Sequence, residues 1–307
     1  MILIPVFFAN QYYLSLMTTT CFTILFAASL RFGMRANLLN FGLGGFIGIG
    51  GYTWAVLSTR WGLSFELSLL IAIALTAIVS IVVGVLLLRV RGIYYLMLTF
   101  AFAQLLILMW TGFEKPFGGS VGLFRLPNPS ILGLELHTKI DLYLMAFVLM
   151  LVSLLVMWRL ECSKFGLVCN AMRQSEDQVE AIGLNTRNYK VMCFVISCIF
   201  AAMGGVFYIA YLKNIEPGYF SVWRTVFFMT VIVLGGLGNI WGVVIGASCL
   251  AVLSEYMWRG MEYQEFIYGG LLILLVLLLP GGLVSLPKLV WRRLAGQPLQ
   301  IIRRGRI

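Results

Sequence analysis

The chain has 307 residues, of which 61% are hydrophobic and 11% charged, and it carries a formal net charge of +10. A soluble domain carries about 25% charged residues, so this balance, with a mean hydropathy of +0.97, excludes an ordinary soluble fold and points to an integral membrane protein. The apolar runs are long enough to cross a bilayer and do not alternate polar with apolar, which selects spanning helices over a barrel.

In chain order the expected spans are Tyr12–Leu30, Leu38–Ser58, Leu67–Leu88, Gly92–Trp110, Leu142–Trp158, Val191–Leu212, Val222–Leu234, Ile240–Met257 and Phe266–Leu279. The expected fold is an all-α polytopic membrane protein of about 8–10 transmembrane helices, with residues 1–287 as the transmembrane domain. The opening residues show no basic region and no small-residue cleavage site, so the first span is expected to stay in the mature chain. Leu38–Ser58 holds Gly42, Gly44, Gly45, Gly48, Gly50 and Gly51. Packing of closely approaching helices explains such spacing; the sharper reading is a broken or re-entrant segment from Asn37 to Tyr52 lining a cavity, where a half-helix end meets a charged substrate group. Trp54, Trp61, Trp110, Trp158, Trp223, Trp258 and Trp291 fall near span ends, as expected of an interfacial belt.

With the N-terminus outside and nine crossings, fifteen of the 22 Lys and Arg residues fall on the inner side, as the positive-inside rule requires. The N-terminus is then periplasmic and the C-terminus cytoplasmic, and the basic tail 288–307 lies against anionic lipid. The net charge therefore reflects topology, and nucleic-acid binding is not expected. The six cysteines fall in spans or on the inner side and read as free thiols. His137 stands alone in an outer loop, and neither a metal site, a cofactor nor a catalytic group is indicated. The outer loop Thr111–Asp141 is rich in proline and glycine turns and reads either as a seat for a partner or as a plug over the helices.

The polar stretch 159–190 stands apart. Ser175 followed by Gln178 has capping-box spacing, Glu176 and Asp177 put negative charge on a first helical turn, and Gly183 suits a left-handed C-terminal position. A short helix over Glu176 to Ile182 is expected, with Val179 and Ile182 sharing one apolar face. So short a helix is marginal alone and is expected to dock on something.

Several motifs resemble one family. Ser163-Lys164-Phe165-Gly166, Ala171-Met172-Arg173, Glu180-Ala181-Ile182-Gly183-Leu184-Asn185 and Tyr189-Lys190 are similar to the cytoplasmic loop of LivM-type permease subunits of branched-chain amino acid ABC importers. The resemblance continues in Asn40-Phe41-Gly42 with Gly44-Gly45-Phe46 and Gly50-Gly51-Tyr52, in Arg91-Gly92-Ile93-Tyr94-Tyr95 with Thr99 to Gln104, in Gly118 to Leu123, and in Gly235-Gly236-Leu237-Gly238-Asn239 with Gly242 and Gly246-Ala247. It covers about Leu38 to Pro287, with departures at Val121, Val168, Cys169 and Phe227.

The resemblance implies a non-enzymatic subunit of the bacterial inner membrane that pairs with a second, LivH-like permease. Two cytoplasmic ABC ATPases would grip a short coupling helix from each permease, and a periplasmic binding protein would deliver the substrate. Arg173, Ser175, Glu176, Asp177, Glu180, Ala181 and Gly183 are the expected ATPase-coupling set. Asn37, Asn40, Gly42, Gly44, Gly45, Gly48, Tyr94, Thr99, Gly235, Gly236 and Gly238 are the expected path residues. Gly235-Gly236-Leu237-Gly238 is not a nucleotide loop, because Asn239-Ile240-Trp241 follows where Gly-Lys-Ser/Thr is required. The cargo is read as branched-chain or related hydrophobic amino acids; urea, short amides and aromatic acids remain open within the same class. A self-contained channel or facilitator is the rival.

Overall fold

The computed structural model describes residues 11–257, apart from 91, 132–133 and 137, together with residue 270. The expected span Phe266–Leu279, the basic tail, His137, Trp258 and Trp291 lie outside these residues. The chain divides into two compact units, Met1–Met229 and Thr230–Ile307.

The long helices are α1 (Gln11–Met34), α2 (Leu43–Arg60), α3 (Phe65–Leu87), α4 (Ile93–Gly112), α5 (Lys139–Glu161) and α8 (Thr186–Leu212). Between α5 and α8 lie α6 (Lys164–Gln174) and α7 (Glu176–Ala181), and α9 (Val222–Gly235) and α10 (Ile240–Met257) follow α8. Among the described residues five helices, α1, α3, α4, α5 and α8, are long and apolar enough to cross a membrane; α9 and α10 together pass the same test as a pair bent by 113°.

The first unit is layered. In α1 and α8, 61% of the most apolar window is buried, against 22% in α3 and 28% in α4, so α1 and α8 are central and α3 and α4 peripheral. Leu70, Ile78, Val82 and Leu86 of α3 and Leu105 and Leu108 of α4 turn outward, the faces of a bundle whose solvent is apolar. Hydroxyls inside α1 find partners within their own helix: Thr18 Oγ1 donates to the Leu14 carbonyl at 2.7 Å and Ser29 Oγ to the Leu25 carbonyl at 2.8 Å. That removes the penalty of placing Ser and Thr at membrane depth.

The early glycine-rich stretch forms one continuous helix. It begins at Leu43, because Asn37 at φ 60° turns the chain after α1 and the Asn40 side chain accepts from the Gly42 N–H at 2.8 Å. The sharp bend lies instead between α9 and α10, where Gly236 has φ 100°. Two tryptophans expected in an interfacial belt are core residues: Trp54 and Trp110 are each 1% exposed, while Trp61 and Trp223 are 71% and 81% exposed. Tyr52 explains this for Trp110, stacking on it with ring centroids 4.6 Å apart. At the end of the bundle opposite α6 and α7, short antiparallel pairs join Leu123–Phe124 to Asn214–Ile215 and Ser130–Ile131 to Leu134–Glu135.

Candidate functional site

Without a hydrophobic drive between helices in lipid, close packing and hydrogen bonds must hold them. Glycine supplies the packing here. A Cβ on Gly50 would stand 2.2 Å from the Ala202 carbonyl oxygen, and one on Gly205 would stand 2.1 Å from that of Ile47, so α2 and α8 touch backbone to backbone. Gly44 likewise lies against the Phe220 carbonyl, Gly45 against Leu106 and Gly48 against the Trp110 ring. On α3, Ser68, Ala72, Thr76, Ser80 and Gly84 recur at every fourth position and are its buried stripe. That repeat of small residues is legible in the sequence, although the glycine clusters draw the eye first.

The expected path residues thus fall in several environments. Gly42, Gly44, Gly45 and Gly48 are buried in helix contacts. Two N–H groups at the start of α2 have internal acceptors, Gly42 on Asn40 Oδ1 and Gly44 on Thr225 Oγ1 at 3.2 Å. Thr99 is fully buried, and its hydroxyl accepts from the Phe41 N–H at 3.3 Å. Asn40 is buried and donates to Cys198 Sγ, Asn37 is exposed at its turn, and Tyr94 is 66% exposed. Gly235 and Gly236 close the turn after α9, where Gly242 approaches the Gly235 carbonyl; a Cβ on Gly238 would meet nothing within 4 Å. Beside the start of α2, α4 and the start of α9 line a cavity of about 450 Å³ whose walls include Phe41, Phe100, Ile107, Val222 and Trp223, with Gln104 and Ser221 as polar members.

The polar stretch folds as a helical hairpin. Ser175 ends α6 and caps α7, its Oγ accepting from the Gln178 N–H at 3.4 Å. Gly183 leaves the short helix at φ 88° with nothing within 4 Å of the Cβ position, a conformation that favours glycine. Val179 and Ile182 do not share a face. Val179 is 4% exposed against the hairpin, whereas Ile182 closes α7 at 79% exposed, and Leu167 of α6 stands out at 71%. The six-residue α7 is too short for the one-face spacing to persist past its last turn.

The hairpin is rooted by its charges. Glu176 Oε1 pairs with Lys190 Nζ at 2.5 Å, and Glu180 Oε1 accepts from Thr186 Oγ1 at 2.6 Å, so both carboxylates tie α7 back to α8. Arg173, Asp177, Ala181 and Gly183 remain exposed, and Ser175 is half-buried. Beneath α6, Arg31 of α1 forks onto Glu161 at the end of α5, at 2.6 Å and 3.3 Å, and Arg35 reaches the same carboxylate at 3.0 Å. These contacts span 130 and 126 residues of sequence, so no local pattern announces them. Removing one partner of a pair so buried costs about 3–5 kcal/mol. Cys169 Sγ lies 3.6 Å from Cys193 Sγ. The hydrogen bond from that neighbour, with the positive charge of Arg35, holds the Cys169 thiol below its ordinary value against burial.

Among the described residues, no group of His, Cys, Asp and Glu is arranged to hold a metal ion. Residues 12–276 match the family described as branched-chain amino acid transport system / permease component. The chain is 30% identical over 276 residues to the high-affinity branched-chain amino acid transport system permease protein LivM of Escherichia coli, covering 82% of this chain and 65% of that protein. The Salmonella typhimurium protein of the same name is 30% identical over 285 residues, covering 85% of this chain and 67% of its own length. LivH of Salmonella typhimurium is 32% identical over 130 residues, 41% of each chain. The chain therefore spans about two thirds of the length of the LivM relatives. No solved structure matches it. An all-helical bundle with a rooted polar hairpin, matched along most of its length, belongs to the branched-chain amino acid transport system permease family.

Proposed function

We propose that this chain is a permease subunit of an ATP-driven importer of branched-chain or related hydrophobic amino acids, working with a second permease, two ABC ATPases and a substrate-binding protein. The observation that carries the reading is the hairpin: two short helices, fixed to α1, α5 and α8 by charge, that hold Leu167 and Ile182 out into solvent at 71% and 79% exposure. Exposed apolar residues among Arg173, Asp177 and Arg187 suit a groove on a partner, the apolar members supplying affinity and the charges register. In this reading the hairpin faces the cytoplasm, the N-terminus is periplasmic, and Glu176 and Glu180 shape the hairpin while Ile182, Asp177, Ala181 and Gly183 meet the ATPase.

The cavity beside α4 is the proposed binding region on this subunit's share of the path. Phe41, Phe100, Ile107 and Trp223 offer an apolar wall for a hydrophobic side chain, and Gln104 and Ser221 offer hydrogen bonds to an amino acid backbone. The early glycines act as the packing that holds this wall in place.

The test is co-purification and uptake. The intact chain, purified from the cells that make it, should bring down an ABC ATPase and a second permease. Ile182→Asp should lose the ATPase while the protein still inserts and retains the second permease. A lone homo-oligomer that passes substrate without ATP would overturn the reading.

A further inference from the structure

Four side chains beneath the hairpin form one unbroken polar chain across three helices. Arg31, 1% exposed in the last turn of α1, places Nη1 2.6 Å from Glu161 Oε1 and Nη2 3.3 Å from Oε2. Arg35, in the turn after α1, donates from Nη2 to Glu161 Oε2 at 3.0 Å and from Nη1 to Asn170 Oδ1 at 2.9 Å. Glu161 is the last residue of α5 and Asn170 lies within α6. At the same corner a Cβ on Gly166 would stand 2.2 Å from the Glu161 carbonyl oxygen, so α6 is seated directly on the end of α5.

The Arg35 guanidinium joins the end of α5 to the hairpin directly, beside the Phe32–Phe165 ring stack and the Cys169–Cys193 contact that also seat α6 on the membrane helices. Its planar fork serves two acceptors in fixed directions at once; an ammonium is a single point donor and cannot hold both in that geometry. Charge-assisted bonds in a setting this dry resist reorientation, so α6 and the ends of α1 and α5 are constrained to move together. The other half of the hairpin is tied separately, α7 to α8, through Glu176–Lys190 and Glu180–Thr186.

Building on the reading of the hairpin as the ATPase contact, we propose that Arg35 and Glu161 are positioning residues for energy coupling: they convert displacement of the hairpin into displacement of α1 and α5, instead of letting the Cys162–Ser163 link bend.

The experiment reconstitutes the complete assembly in vesicles and measures ATP hydrolysed and substrate transported in the same sample, for the unaltered chain, Arg35→Lys and Asn170→Ala. Both variants should assemble with the ATPase and hydrolyse ATP within about twofold of the unaltered complex, while substrate moved per ATP falls about tenfold in Arg35→Lys and about threefold in Asn170→Ala, within the range of ordinary coupling energies. Where Arg35→Lys does not assemble, the milder Asn170→Ala decides. An unchanged ratio in an assembled variant overturns the joint, as does a fall in hydrolysis and transport by equal factors, which marks a merely structural role. Absence of any ATPase from the unaltered complex overturns the functional reading itself, and is told apart because it appears before any substitution is made.

Discussion

Where α2 meets α8, the contact depends on atoms that are missing: Gly50 and Gly205 let two backbones approach so closely that any side chain would strike a carbonyl at 2.2 Å or 2.1 Å. Where α1 and α5 meet α6, the contact depends on long side chains, with two guanidiniums sharing one carboxylate. The first arrangement has nothing in it that can reorient, so it suits the fixed frame of a membrane subunit. The second is held by charge-assisted bonds that fix direction between separate helices, which suits a place where a force enters. Rigidity in this molecule thus has two chemical forms: the α2–α8 contact uses close backbone approach, and the α1–α5–α6 corner adds the charged fork to the Gly166 approach.

The sharpest way to break the frame is Gly50→Leu. Overpacking a close backbone contact costs about 1–3 kcal/mol or more, and with a carbonyl as the struck atom the expected outcome is loss of monodisperse protein on size-exclusion chromatography in detergent. Gly183→Leu supplies the contrast. It sits at a strained φ but in open space, so it should cost only about 1–3 kcal/mol of local strain and leave insertion intact while weakening ATPase retention.

Loosening α7 from α8 should have a smaller effect. Lys190→Met removes the partner of Glu176, a half-buried pair for which about 1 kcal/mol is expected, read as faster proteolysis of the 176–186 segment with the bundle still folded. Smallest of all, Asp177→Asn on the exposed face should leave stability unchanged within about 0.5 kcal/mol, and any effect should appear in the salt dependence of ATPase association.

The start of α7 was legible because it is local: a serine, two acids and a glutamine lie within four residues, and the helix begins at Glu176 as that spacing requires. Five of the expected spans were legible for the same reason, since length and hydropathy are properties of contiguous residues, whereas Val222–Leu234 and Ile240–Met257, read as two crossings, pass that test only as one bent pair. The start of α2 was not, because glycine is compatible both with a break and with close packing, and only the neighbours at Ala202, Trp110 and Phe220 decide between them. The partners of Glu176 and Glu180 were illegible in a different way. The spacing of these acids marks a helix start and an expected coupling set, and Lys190 and Thr186 return to them from the next helix after a turn that sequence spacing does not fix. Trp54 and Trp110 mislead for a related reason: nearness to a span end says nothing about which side of the helix a ring occupies.

The most direct measurement is the sidedness of Ile182. In a chain carrying Ile182→Cys with the exposed Cys162 replaced by Ser, a membrane-impermeant maleimide should label inside-out vesicles and not intact spheroplasts, and a bound ABC ATPase should protect the site. Labelling from the periplasmic face, or full labelling with the ATPase bound, would contradict the assignment of this hairpin as the point where ATP-driven force enters the bundle.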